Sequence, residues 1–249
     1  MFILAVYNIK GGVGKTATTI NLAYLASKEN LPALICDLDP QGSASFYLKI
    51  RPPKTLSSKK LLKGGKSWEQ SIRGTDYENL DLLPSSFSYR KLDLLLNDYK
   101  KSKKRLKKVI KPFKKEYNYI FLDCPPNMTL VSENIFNAAD ILLVPTIPTT
   151  LSILTFDKIL SFFEKKNMNP DKIIGFFSMV ESRKNLHKNF ILEKQKDNRF
   201  LKNWIPYLSD IEKMGICREP VVRSLPNSRA ASSYQLLWTE IKSRLRKEP

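Results

Sequence analysis

The sequence predicts an α/β fold, with a mostly parallel, twisted β-sheet and helices on both faces. Two observations carry this. Short apolar runs alternate with helical stretches along the chain, the arrangement that builds a parallel sheet covered on both sides. The first of these runs leads directly into a glycine-rich loop and then a helix. With 249 residues, 42% of them hydrophobic, the chain can bury one full core, so a single domain over residues 1–249 is expected.

Residues 2–8 form a short apolar run that reads as a buried strand. Residues 16–28 follow the glycines with helical patterning, placing Ile20, Ala23, Tyr24 and Ala26 along one side. Residues 34–36 read as a second buried strand, and 79–83, 119–123, 140–145 and 173–180 as further strands. Residues 51–75 contain Pro52-Pro53 and Gly64-Gly65 and are expected to be a loop-rich insertion within the domain. Residues 100–115 hold ten Lys and Arg, with Leu106, Val109, Ile110 and Phe113 at helical spacing. They predict an amphipathic helix whose apolar side faces the sheet and whose basic side faces outward. That basic side is either a solvated face or a surface for a polyanion.

The bulk numbers exclude several classes. No apolar run approaches the roughly 18 residues of a membrane span, and no basic region precedes the apolar start at Met1, so a cleaved signal is not expected. Cys36, Cys124 and Cys217 are odd in number and far apart, which suits reduced thiols in a cytosol better than a disulfide frame or metal cluster. A single histidine, His187, cannot build a His-rich metal site and reads as solvated or locally bonded. The 42 Lys and Arg against 24 Asp and Glu give a formal charge of +18. Such a field concentrates nucleic acid, anionic lipid or acidic proteins without choosing among them.

The chemistry concentrates at Lys10-Gly11-Gly12-Val13-Gly14-Lys15-Thr16. Glycines let backbone N–H groups converge on an anion, and the following helix begins with unpaired N–H groups and a positive dipole end. Lys15 is placed to hold β- and γ-phosphates, and the Thr16 hydroxyl to ligate magnesium. Asp123 ends an apolar strand and can deliver a carboxylate to that ion, though an aspartate there is common by itself. Asp37-Leu38-Asp39-Pro40-Gln41-Gly42 offers two more carboxylates, which strand alternation would place on one side. Two like charges there need a cation or water between them, while capping of the next helix is the plainer alternative. No Asn-Lys-x-Asp guanine-reading motif occurs, so ATP is favoured over GTP.

The Lys10–Thr16 loop resembles the deviant Walker A motif of the ParA/MinD family of P-loop ATPases. The Asp37–Gly42 run resembles the ParA version of the next motif, and Asp123-Cys124-Pro125-Pro126 the end of its Walker B strand. Residues 234–241 are similar to the family's closing helix. The resemblance implies a P-loop NTPase fold with ATP and Mg2+ as cofactors. It implies that Lys10 reaches the phosphates of a partner in an ATP-dependent homodimer. It implies that Asp39 positions the attacking water, that Asp37 sits by the magnesium, and that Asp123 is its second-sphere ligand. Pro206 is loosely similar to the segment lining the adenine. Ala17 stands where many relatives have a second threonine, which leaves only backbone to contact phosphate there.

The implied function is an ATPase that binds DNA non-specifically and positions a cargo, stimulated by a ParB-like or other activating partner, in the cytoplasm on the nucleoid. Arg218, Arg223, Arg229, Lys242, Arg244 and Arg246 are candidate DNA contacts by location. A MinD-like membrane switch is the alternative, because Leu237, Trp238, Ile241 and Leu245 lie on one face of a basic C-terminal helix. A metabolic relative such as an amidoligase or a reductase is a third reading, since fold does not fix function. The reductase would need paired interface cysteines, and Cys124 has no evident partner.

Overall fold

The computed structural model describes residues 1–100 and 102–246. Lys101, within the expected basic stretch, and the last three residues of the expected domain lie outside the described residues. Seven described strands form one sheet: β1 (Phe2–Val6), β2 (Ala33–Asp37), β3 (Arg73–Gly74), β4 (Leu80–Leu83), β5 (Tyr119–Asp123), β6 (Ile141–Thr146) and β7 (Ile173–Phe177). Their order is β3-β4-β2-β5-β1-β6-β7. All neighbours are parallel except β3 and β4, which pair antiparallel at the edge. This is the α/β architecture expected from the alternation of apolar runs and helices.

Both faces of the sheet are covered, which explains why the central strands are apolar throughout. Ile3 and Ala5 of β1 enter one core with residues of the helices Ser58–Lys63, Arg105–Ile110, Leu130–Ala138 and Thr150–Lys165. Leu4 and Val6 enter the other, under the helices Lys15–Ser27 and Arg229–Leu245. Successive side chains of one strand thus serve opposite cores.

Three segments differ from the sequence expectation. Residues 51–75 contain two short helices, Ser58–Lys63 and Lys66–Glu69, where loop was expected, and add the edge strand β3. Burial drives this order: Trp68 is fully enclosed, stacks on Phe113 with ring centroids 5.4 Å apart, and donates its indole N–H to the Leu61 carbonyl at 2.8 Å. The turn between the helices uses Gly64 at φ +72°, where a Cβ would lie 2.7 Å from the Val109 Cβ.

Residues 100–115 do not form one helix. A 3-10 turn at Ser102–Lys104, an α-helix at Arg105–Ile110 and a second 3-10 turn at Lys111–Lys115 follow one another. Pro112 supplies the reason, since it has no N–H to donate and its ring crowds the preceding turn. The apolar side is nevertheless buried as the spacing predicts: Leu106, Val109, Ile110 and Phe113 all lie in the core. The expected strand 173–180 stops at Phe177, and Met179 beyond it adopts φ +55°, outside the extended region.

The C-terminal helix Arg229–Leu245 docks on the sheet. Leu237, Trp238, Ile241 and Leu245 are buried, and the Trp238 ring lies edge-on to Tyr119 at 5.2 Å. The face that could have met lipid is occupied by protein. No helix among the described residues is long and apolar enough to cross a membrane. Cys36 and Cys124 are buried free thiols and Cys217 is an exposed one. His187 is buried, and its Nδ1 accepts the Glu181 N–H at 3.1 Å, the locally bonded alternative.

Replacing Trp68 by Ala should destabilise the protein by about 3–5 kcal/mol, the usual loss for truncating a buried aromatic. Equilibrium urea unfolding measures this, and a loss below about 1 kcal/mol would show that residues 51–75 are not part of the core.

Candidate functional site

Three adjacent strands, β2, β5 and β1, end together at the centre of the sheet. Ligands of open α/β sheets bind beyond such carboxyl ends. β1 runs through Asn8 into the loop of residues 10–16. The Asn8 side chain anchors this exit, donating to the Pro145 carbonyl at 2.8 Å and accepting the Lys10 N–H at 2.9 Å. Gly12 and Gly14 adopt φ +71° and +87°, conformations that a side chain would strain. Gly11 and Gly12 are exposed, whereas Val13 is buried and pins the loop.

Gly14 caps the Lys15–Ser27 helix without a side-chain acceptor, and no acidic residue stands in its first turn. The positive end of that helix is therefore uncompensated. Lys15 is buried, and its Nζ donates to the Lys10 carbonyl at 2.9 Å, bridging the two ends of the loop. Burial pulls its pKa down from the ordinary lysine value, and the neighbouring Asp123 opposes that shift. Ala17 is half-buried against the helix-side core, so its methyl serves packing.

Asp37 and Asp123 are register partners on β2 and β5, and both are fully buried. Asp123 accepts the Thr16 hydroxyl at 2.8 Å and the Thr19 hydroxyl at 3.4 Å. Asp37 accepts the Ser45 N–H at 2.8 Å and the Ser45 hydroxyl at 2.7 Å, both on Oδ2. Its other oxygen, Oδ1, is buried with no hydrogen-bond partner among the described residues. Burial pushes the Asp37 carboxyl up to about 7, against the pull of the Ser45 donors. Burial and the charge of Asp37 likewise raise Asp123 well above the usual carboxylate range.

Asp39 lies beyond the end of β2 and is only half-buried. Its carboxylate accepts the Gln41 N–H at 2.9 Å and its carbonyl accepts the Gly42 N–H at 2.9 Å, so it closes its own turn. The short helix Ser43–Tyr47 is instead capped by Gly42. β2 ends at Asp37, so Asp39 lies past the strand rather than alternating with Asp37 within it, yet its charge still acts on Asp37 and Asp123; the register partner of Asp37 is Asp123. The Lys10 side chain leaves the loop, and its Nζ donates to the Ser152 hydroxyl at 3.2 Å on the Thr150–Lys165 helix. Pro206 forms an isolated parallel bridge with Val180 and shares a recess with Gly14, Ser178 and Tyr234. It stands beside the end of the loop.

These residues fit magnesium and a polyphosphate together. Among the described residues, no three His, Cys, Asp or Glu are grouped to hold a metal. Magnesium needs no such cage, since it uses one or two protein oxygens and completes its shell with phosphate oxygens and water. The orphaned Asp37 oxygen, the Thr16 hydroxyl and Asp123 provide that partial set. Sequence reasoning missed Ser45, Thr19 and Ser152. No motif marks them, because each meets the site through tertiary packing. Ser45 had a faint signal, lying just beyond the Asp37–Gly42 run.

The AAA domain family matches residues 1–174. The chain is 29% identical over 248 residues to the virulence plasmid ParA family protein pGP5-D of Chlamydia psittaci, covering 98% of this chain and 96% of that one. It is 28% identical over 246 residues to the sporulation initiation inhibitor protein Soj of Bacillus subtilis, covering 96% and 97%. The septum site-determining protein MinD of Pyrococcus horikoshii, solved with Mg-ADP, has a TM-score of 0.79 at 21% identity and covers 96% of this chain and 95% of its own. At that identity the likeness speaks for the fold.

Asp37 keeps its proton above the ordinary value of 3.8. Protonation therefore stabilises the fold fully below that ordinary value, and the contribution is lost as pH rises through about 7. Without nucleotide or metal, Asp37→Asn should become progressively more stable relative to the parent chain between about pH 4 and about pH 7. Denaturant midpoints across that range measure this, and a constant difference would contradict the buried-carboxylate assignment.

Proposed function

The chain belongs to the ParA/MinD family of P-loop ATPases, and from that premise we propose that it is a ParA-type partition ATPase. It binds ATP with magnesium, pairs with a second copy of itself, holds DNA without sequence preference, and releases it after hydrolysis. The placement of Lys10 carries this reading. Lys15 stays with its own loop, while the Lys10 ammonium is drawn out to Ser152. Beside Ser152, Leu151 and Leu154 are 67% and 50% exposed, an apolar rim suited to a second subunit.

In that dimer Lys10 extends across the interface and adds positive charge where the phosphoryl oxygens spread negative charge in the transition state. Lys15 and the backbone of residues 11–16 bind and orient the phosphates. Asp39, the half-buried carboxylate at the rim, orients the attacking water. The Thr16 hydroxyl, with Asp37 and Asp123 around it, would hold magnesium, whose charge would neutralise the phosphates. Pro206 packs beside the adenine. Hydrolysis then requires two subunits, which makes the protein a timed switch.

The formal charge of +18 supports the DNA step through counterion release. A ParB-like or other activating partner would set the timing, and the protein would act in the cytoplasm on the nucleoid. The MinD-like alternative gains no support from the C-terminal helix, whose apolar face is buried.

Lys10→Ala should keep ATP binding but lose most dimerisation and hydrolysis. Nucleotide titration, light scattering and phosphate release measure the three, and normal turnover would rule out a trans role for Lys10. Asp39→Ala should accumulate an ATP-bound dimer on size-exclusion chromatography, and rapid turnover in that variant would remove its water-positioning role.

A further inference from the structure

The distribution of uncommitted positive charge is uneven. Several C-terminal cations that location suggests for DNA are already engaged within the molecule. Arg218 donates to the Phe46 carbonyl at 2.8 Å and lies 4.5 Å over the Phe46 ring. Arg244 donates to the Asn198 carbonyl at 2.7 Å, Lys242 pairs with Glu29, and Arg229 stands 5.9 Å over the Trp204 ring. Each of these cations already has a partner within the molecule, although its remaining N–H donors are free.

The segment 104–115 is different. Lys104, Lys107, Lys108, Lys111, Lys114 and Lys115 are exposed, and none forms an ion pair with a described carboxylate. Within the Arg105–Ile110 helix, Lys107 and Lys108 are exposed while Leu106, Val109 and Ile110 are buried, and Lys104, Lys111, Lys114 and Lys115 continue the exposed row in the flanking 3-10 turns, where Phe113 is buried. The nearby Lys103 and Lys166 are set apart, because both pair with Glu133, at 3.3 and 2.9 Å.

The strip is also held firmly. The Leu106 N–H donates to the buried Asn134 side chain at 3.1 Å, and Arg105 Nε donates to the Leu62 carbonyl at 2.6 Å. Asn134 belongs to the Leu130–Ala138 helix, the element that follows β5 and Asp123. A row of exposed ammonium groups with no carboxylate partner concentrates counterions, which an extended polyanion lying along it would release.

We propose that the lysine strip of residues 104–115 is the surface that holds the phosphate backbone of duplex DNA. The proposal rests on the partition reading above and locates its DNA step. Duplex DNA is favoured over a lipid surface because the strip has no apolar side chains to insert. Those of this segment face the core, whereas interfacial helices bind by burying theirs in the bilayer. Lysine point charges without interleaved exposed aromatics suit backbone contact without sequence reading.

The test uses the full chain loaded with ATP and a fluorescent random-sequence duplex. Replacing Lys104, Lys107, Lys108 and Lys111 together by Gln should weaken binding by about tenfold or more. It should also make the slope of log affinity against log salt shallower by about 3–4 units. DNA-free ATPase and melting temperature should be unchanged, and the same four positions changed to Arg should retain binding. Lys114→Gln with Lys115→Gln should give a smaller loss in the same direction and guards against a folding defect in the larger variant.

If the parent chain binds duplex and the Gln variants bind equally well, the strip assignment is wrong while the partition reading stands. Equal losses in the Arg and Gln variants would also overturn it. A parent chain that ignores duplex in every nucleotide state sinks both the strip and the DNA step. One that ignores duplex but sediments with anionic phosphatidylglycerol vesicles would reassign the strip to a lipid surface.

Discussion

Asp37 and Asp123 sit side by side at the carboxyl ends of two parallel strands, each fully buried. Two carboxylates cannot both ionise in such a place without help, so their environment governs much of what surrounds them. Ser45 supplies two donors, Thr16 and Thr19 supply hydroxyls, and Lys15 supplies a buried positive charge. One Asp37 oxygen is left without a partner, and both pKa values are raised. The sheet thus carries a local electrostatic cost at its centre, which a divalent cation and its phosphates are suited to relieve. Strain of this kind belongs at a functional site, because a stable hydrophobic framework elsewhere can sustain it.

The same geometry divides labour between two lysines five positions apart. Lys15 opens a helix whose first turn points at the loop, and burial confines its side chain there. Lys10 precedes the glycines and is carried outward to the Thr150–Lys165 helix. Gly12 and Gly14 make this division achievable, since positive φ angles at both positions let the chain reverse without side-chain conflict. The lysines of residues 104–115 lie on the segment before β5, packed against the Leu130–Ala138 helix that follows Asp123.

Contiguous features were legible in the sequence. The strand at 119–123 has the bounds that its apolar run predicts, and the loop at 10–16 stands between the expected strand and helix. Apolar spacing correctly marked the buried side of residues 106–113. Features created by tertiary register were not legible. The Asp37–Asp123 pairing depends on how β2 and β5 align, whereas alternation along the strand pointed only to Asp39, whose charge also acts on both. Strand β3 spans two residues, too few to show a period. The break at Pro112 was signalled by the proline itself, whose effect outweighed the amphipathic pattern. Periodicity identified the apolar face of the C-terminal helix but not its covering, because sheet and lipid demand the same stripe.

A dimer in which each subunit finishes the other's site has a signature that no single-subunit mechanism shares. Lys10→Ala and Asp39→Ala subunits each lack one part, but a mixed pair assembles one site with Asp39 from one chain and Lys10 from the other. Steady-state phosphate release from an equimolar mixture, compared with each variant alone, measures this directly. Activity well above the mean of the two separate variants is the expected result. A mixture that merely averages them would contradict a cradle completed in trans.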